Sequence, residues 1–389
     1  MRAGSRFPAA LVLAVAAACA QVVPPPGGPE DRDGPKLVAT RPDTMAQLRS
    51  YQGEVVFVFD EGLSEIGIDT LVLVSPAGGS PDADKDGDEI RVALRRGWQP
   101  GRIYQVTVLP GVQDRFGNRT AAPIHLVFST GPEIPSTRLT GSVIDRATLQ
   151  PLRGGWVEAI LRPDSLPYLA RTDSAGGFVF TRIPPGEYGV RAYADNNRSR
   201  SLDEFEPRDT ASARVAAGDS ARVPRLATVL PDTSPPRAGT ATGTGDLVEV
   251  KFDDYLDPAQ PLAPSQVTLT GPDGAAVQVL AVRIGPFAEV ARDSAAAAGD
   301  SAASRPAAAA APQEPVPSQS LFVRTAAALA PETDYRVSVS GVRNLLGLAG
   351  GGEARFRTPR RAPAPAPAPA PAEGAPPVQP RPPVAPPRR

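Results

Sequence analysis

Glu54-Val55-Val56-Phe57-Val58-Phe59-Asp60 opens a stretch that passes through Tyr104-Gln105-Val106-Thr107-Val108 and closes on His125-Leu126-Val127-Phe128-Ser129-Thr130. The same landmarks return in order near the C-terminus, as Val248-Glu249-Val250-Lys251-Phe252-Asp253, Tyr335-Arg336-Val337-Ser338-Val339 and Ala354-Arg355-Phe356-Arg357-Thr358. Repetition of modules of roughly a hundred residues means stacked independent domains, because the units of a solenoid are much shorter. The second copy also phases the first. Glu249 and Lys251 must face water, so Val248, Val250 and Phe252 face a core, and register assigns Val55, Phe57 and Phe59 to a core as well. Val56 and Val58 are then expected on the outer face, either as scattered surface valines or covered by a neighbouring domain. Tyr104, Val106 and Val108 alternate with Gln105 and Thr107, the period of half-buried strands in a two-layer sandwich.

Working outward, 389 residues suit about two to four domains. A formal net charge of -1 and sparse aromatics leave no nucleic-acid footprint. Pro at 47 and Gly at 36 are high but cluster in linkers. One Cys and one His exclude cysteine catalysis and zinc clusters in their common forms. A Ser-His-Asp triad would have to use His125, which sits on an expected strand and faces opposite to Leu126. No catalytic residue is assigned.

Residues 1–18 read as an export signal: Arg2 and Arg6, then an apolar run from Phe7 to Ala18 that is too short to span a bilayer. Ala16-Ala17-Ala18-Cys19 resembles a bacterial lipobox, with Ala16 where a larger aliphatic residue is usual. That resemblance implies cleavage before Cys19 and lipidation of its thiol. Ordinary cleavage after Ala18-Cys19-Ala20 is the rival reading and would discard the cysteine. Ala20 after the cysteine implies, by the same resemblance, sorting to the outer membrane of a diderm bacterium. Residues 19–34 form a Pro/Gly tether.

Residues 35–131 are expected to hold strands at Lys36–Thr40, Glu54–Asp60, Thr70–Val74, Ile90–Leu94, Ile103–Leu109 and Ile124–Ser129. Val55 to Phe59 with its acidic turn, Tyr104-x-Val-x-Val, Gly111-Val112-x-Asp114-x-x-Gly117-Asn118 and Phe128-Ser129-Thr130-Gly131 resemble the SbsA-type bacterial Ig-like domain. Members of that family serve exported proteins as spacers or binding modules. Asp82-Ala83-Asp84-Lys85-Asp86-Gly87-Asp88 imitates the start of a calcium loop, but Ala93 stands at the twelfth position, so a hairpin tip is the expectation. Asp60-Glu61 and Asp253-Asp254 recur at the same strand end in both copies and suit a structural turn.

Residues 137–230 interrupt the copies. Leu139-Thr140-Gly141-Ser142-Val143, Thr172-Asp173-Ser174-Ala175-Gly176-Gly177-Phe178, Pro184-Pro185-Gly186-Glu187 and Tyr188-Gly189-Val190-Arg191-Ala192 resemble the carboxypeptidase regulatory-like domain, a small transthyretin-like sandwich. Pro185 and Gly186 are spaced for a type II turn. Downstream, Asp195, Asn197, Ser199, Ser201, Asp203 and Glu206 fall at positions 1, 3, 5, 7, 9 and 12 of a calcium loop, with Arg200 in place of the turn glycine. Calcium here is expected to bind weakly and to fix the angle between the middle and third domains. The other expectation is a polar loop packed on the next domain.

Residues 232–358 form the second, diverged Ig-like copy, broken at 285–320 by an Ala/Ser/Pro insertion too poor in large apolar residues to form a core. Residues 359–389 are a Pro-rich tail, stiff and extended by composition. The expected fold is all-β, three tandem antiparallel β-sandwiches (Ig-like, transthyretin-like, Ig-like) with disordered Pro/Ala-rich segments. The expected role is a non-catalytic envelope lipoprotein, a structural or binding stalk on the membrane through Cys19, with envelope glycan or other envelope proteins as partners. A glycan-binding surface module is the alternative, and it would need exposed aromatics such as Trp98 and Trp156.

Overall fold

The computed structural model describes residues 31–76, 80–287 and 314–360. Its strands are β1 (Leu37–Arg41), β2 (Ala46–Gln47), β3 (Val55–Phe59), β4 (Val72–Ser75), β5 (Asp82–Asp86), β6 (Glu89–Ala93), β7 (Ile103–Val108) and β8 (Ile124–Ser129) in the first domain. The middle domain holds β9 (Arg138–Asp145), β10 (Trp156–Leu161), β11 (Pro167–Arg171), β12 (Gly177–Thr181), β13 (Gly186–Tyr193), β14 (Arg208–Val215), β15 (Ser220–Arg222) and β16 (Leu226–Thr228). The third holds β17 (Ala238–Thr244), β18 (Leu247–Leu256), β19 (Val267–Thr270), β20 (Ala276–Val277), β21 (Val279–Ile284), β22 (Ser318–Thr325), β23 (Asp334–Arg343) and β24 (Ala349–Arg357). Each domain is a sandwich of two mostly antiparallel sheets around its own apolar core.

The two outer domains share one wiring. Sheet β1-β3-β6-β5 answers to β17-β18-β22-β21, and β4, β7 and β8 answer to β19, β23 and β24. Alternation places Val55, Phe57, Phe59, Tyr104, Val106 and Val108 in the first core, and Val248, Val250, Phe252, Tyr335, Val337 and Val339 in the third. A β-bulge falls between Leu37 and Ala39 in one copy and between Ala238 and Thr240 in the other. The Tyr104 hydroxyl accepts the Gln99 N–H at 2.7 Å, and that of Tyr335 accepts the Ala330 N–H at 3.0 Å. Each tyrosine stacks on its partner phenylalanine, Tyr104 on Phe128 at 5.4 Å and Tyr335 on Phe356 at 5.7 Å.

Four expectations are corrected. Val56 is buried, at a register position between Arg41 and Arg91, whose guanidinium groups both hold Glu89. Thr70 and Leu71 belong to a single helical turn, α1 (Ile68–Leu71), entered from Gly67 at φ 72°. Gly186 has φ 154° where a type II turn needs a value near +80°, and the left-handed residue of that connection is Arg182 at φ 58°. The insertion ends earlier than 320, since Ser318 and Ser320 already pair with β18; residues 288–313 lie outside the described residues. Asp82 to Asp88 are strand β5 and its turn into β6, a hairpin as the missing twelfth ligand implied.

Removing the hydroxyl in Tyr104→Phe or Tyr335→Phe leaves the matching N–H without its acceptor, and should cost about 1 kcal/mol in either copy. Chemical denaturation of the full chain checks this; a destabilised variant in one copy and an unchanged one in the other would contradict the equivalence of the two tyrosine hydrogen bonds.

Candidate functional site: the junction of the first two domains

The outward face of sheet β11-β10-β13-β14 carries Trp156, Tyr193 and Leu169, apolar side chains at positions where a solvated sheet would hold polar ones. They are covered because the first domain lies on them. Trp156, Tyr193 and Leu73 form one buried cluster, flanked by Leu109, Leu169 and Leu202. The open edge of β4 is set against β11, where the Leu169 N–H donates to Ser75 Oγ at 2.9 Å. In the third domain the equivalent strand β19 is covered by its own short neighbour β20. Around the cluster, Tyr168 Oη donates to the Ile103 carbonyl at 3.1 Å and Gln105 Nε2 to the Thr181 carbonyl at 2.6 Å. Arg102 pairs with Asp164 at 2.5 Å. Burial alone would raise the Asp164 pKa, but the Arg102 bond and the Leu166 and Ser165 N–H groups outweigh it and hold the carboxyl below its usual range.

Behind the cluster, buried Glu158 takes the Arg191 guanidinium and accepts from Tyr193 Oη at 3.2 Å. Burial, then the Glu158 charge, push the Tyr193 pKa far up, so the phenol stays a proton donor.

The loop from Asp195 to Glu206 closes this junction. Asp195 Oδ2 accepts from Trp156 Nε1 and from the Arg200 N–H, both at 3.0 Å, while its Oδ1 is buried with no hydrogen-bond partner. Asn197, Ser199, Ser201 and Asp203 bond to one another, through Asn197 Nδ2 to Asp203 Oδ2 at 2.5 Å and Ser199 Oγ to Asp203 Oδ2 at 3.1 Å. Glu206 is 3% exposed and turns both oxygens to backbone, accepting the Asn196 N–H at 2.9 Å and the Asp203 N–H at 3.1 Å. Hydrogen bonds thus link five of the six candidate ligands, with Asp195 held apart on Trp156 and Arg200, and most of the six residues' oxygens already serve protein donors. Arg200 adopts φ 61°, the left-handed conformation expected of the glycine it replaces. Its guanidinium donates to the carbonyls of Asp69 and Thr70 on α1. The expected contact with the third domain is thus corrected: the loop's long arginine reaches back to the first domain. Cys19 lies outside the described residues.

Between the outer face of β7 and β8 and the strands β9 and β12 lies a cleft of about 740 Å³, with Leu109, His125, Val127, Leu169 and Val179 among its walls. His125 Nδ1 meets Thr107 Oγ1 at 3.0 Å, and desolvation in the cleft lowers the imidazole pKa. Trp98 and Trp156 are both buried, 5% and 3% exposed, so neither offers the sugar-stacking platform that the alternative reading required.

Elsewhere in the first domain Asp31, Glu61 and Asp114 bring carboxylate oxygens within 4.8 Å of one another. Asp114 is buried; its Oδ1 accepts the N–H groups of Phe116, Gly117 and Asn118, and Oδ2 accepts Asn118 Nδ2 at 2.8 Å. Burial works against ionisation there, yet these donors hold the Asp114 pKa below its usual range. Glu61 shifts upward, from burial first and then from the charges of Asp114, Asp31 and Asp60. The repeat contains its own control, because Asn344 replaces Asp114 and gives its Nδ2 to Asp254 at 2.8 Å, turning the carboxylate contact into a hydrogen bond.

Residues 31–130 match the bacterial Ig-like domain family. Comparison with curated proteins found no match. Among solved structures, the N-terminal part of the bacterial S-layer protein SbsC is similar at 14% identity and a TM-score of 0.22, over 34% of this chain and 25% of that one. The TIE protein of Bacillus anthracis is similar at 10% identity and a TM-score of 0.20, over 86% of this chain and 58% of that one. The major pilin SpaD of Corynebacterium diphtheriae is similar at 12% identity and a TM-score of 0.20, over 56% and 65%. The chain therefore spans a quarter of the SbsC fragment, and what those proteins do stays with them.

Asp114→Asn copies the third domain into the first. A carboxyl whose folded pKa is depressed contributes stability that is present above its unfolded pKa, near 4, and lost as pH falls through the depressed folded value. Glu61, with a raised folded pKa, works the other way: its ionisation in the folded state weakens the fold as pH rises. The variant should flatten the acid loss and bring the Glu61 pKa back toward its ordinary range, read by carboxyl NMR titration and by denaturation midpoints between about pH 6 and pH 2. An unchanged acid limb with Glu61 still shifted would contradict the assignment.

Proposed function

We propose that the chain is a non-catalytic lipoprotein of the bacterial cell envelope whose three sandwiches form a structural stalk, held by lipid on Cys19 after removal of residues 1–18. In this reading the first and third domains are SbsA-type Ig-like modules and the middle one is carboxypeptidase regulatory-like, with the outer membrane of a diderm bacterium as the site. The observation that carries it is the junction: a spacer must transmit position along its length, and here the first two domains are joined by a desolvated aromatic cluster ringed by polar ties. The match of residues 31–130 to a bacterial Ig-like family supports a surface role. Among the described residues no helix is long and apolar enough to cross a membrane.

Two or three acyl chains, each contributing about 0.8 kcal/mol per buried CH₂, hold a protein on a bilayer where one chain does not. Fractionation of cells carrying Cys19→Ala should move the protein from the membrane to the soluble fraction or leave it unprocessed. Membrane association equal to that of the wild type would overturn the lipid anchor.

A further inference from the structure

The three most exposed large apolar side chains among the described residues are Phe205 at 80%, Phe116 at 78% and Ile66 at 71%. Single exposed apolar residues are ordinary on protein surfaces. These three are set apart by where they lie, on loops tied to one another. The Ser64 N–H donates to the Gln113 carbonyl at 2.8 Å and Leu63 bridges Asp114, which joins the Ile66 loop to the Phe116 loop. Arg200, on the loop that carries Phe205, donates to Asp69 and Thr70 on the helical turn that follows Ile66. The incoming chain arrives at the same end, where Asn118 Nδ2, two residues past Phe116, donates to the Asp31 carbonyl at 3.1 Å.

The repeat sharpens the point. Phe116 answers to Leu346, half as exposed at 40%, and Ile66 answers to Ala259, as the matching bridges Leu63–Asp114 and Leu256–Asn344 show. The larger exposed apolar groups thus belong to the copy nearest the tether. From Ala20 to Asp31 there are twelve residues, at most about 40 Å of extended chain.

We propose that the Ile66 and Phe116 loops of the first domain, together with the Asp195–Glu206 loop of the middle domain tied to them, rest on the lipid surface, with Ile66, Phe116 and Phe205 entering the headgroup–acyl boundary so that the stalk stands at a fixed attitude on the membrane. The proposal rests on the lipid-anchor reading, which places the bilayer within the reach of that tether. Aromatic and aliphatic tips on polar loops are suited to the interface, where the ring is buried and the loop backbone stays hydrated. Arg115 precedes Phe116, but Glu65 and Glu204 precede the other two, so the attraction is apolar and needs no anionic lipid.

Cys19 is the sole cysteine, which permits a test independent of cellular lipidation. The unprocessed full chain is coupled through Cys19 to maleimide-headgroup lipid in phosphatidylcholine vesicles with brominated acyl chains. F116W and F205W are compared with L280W, at an exposed position of the third domain. Bromine quenching of the new tryptophan in F116W and F205W, and not in L280W, is the expected result, and it should be lost in F116W when Ile66→Ser and Phe205→Ser are added. Equal quenching in all three, or none in any, overturns the proposal. So does an F116W emission that ignores lipid and shifts with protein concentration, which would make the patch a contact between copies. Failure of the Cys19→Ala fractionation with quenching intact would instead remove the lipid anchor and leave the docking surface.

Discussion

The structure depends on the desolvation of one face of the middle sandwich. Trp156, Tyr193 and Leu169 point away from their own core, and without the first domain they would present an aromatic patch to water. Burying them against Leu73 and Leu109 does what a disulfide does in many exported proteins, and this chain has a single cysteine and so no internal disulfide. The polar groups then follow from the apolar ones. Once Trp156 is covered its indole N–H needs an acceptor, which Asp195 supplies; Tyr193 needs one too, and Glu158 supplies it.

That dependence explains the shape of the Asp195–Glu206 loop. Arg200 accepts a left-handed backbone that costs an arginine about 1 kcal/mol relative to glycine, and in that conformation it projects its guanidinium onto the carbonyls at the end of α1. Those carbonyls belong to a helical turn and would otherwise depend on water. A glycine would fit the turn better and lose the tie between domains.

Much of the fold was legible because its signals are periodic. Glu249 and Lys251 phased the first strand through the duplicated module, and the Tyr-x-Val-x-Val strands needed only alternation. Val56 was not legible, since its burial depends on neighbouring strands, where Arg41 and Arg91 flank it in register, and a single strand cannot reveal them. The candidate loop was legible as a set of polar residues at chosen spacings. Its hydrogen bonds and its direction toward the first domain were not, because both follow from a tertiary contact made by one long side chain. Trp156 and Tyr193 did leave a trace, aromatics on the same face of their strands as Glu158 and Arg191, but the identity of the covering surface is not a local property.

If the junction makes the first two domains one cooperative unit, a change made wholly in the middle domain must be felt in the first. Native-state hydrogen exchange on Trp156→Ala measures this directly, by comparing the most protected core amides of β7 and β8 with those of β10 and β13. A buried tryptophan removed from a well-packed site costs about 3–5 kcal/mol, and the account predicts that protection falls in both sets of strands. Loss confined to β10 and β13, with β7 and β8 exchanging as in the wild type, would contradict it.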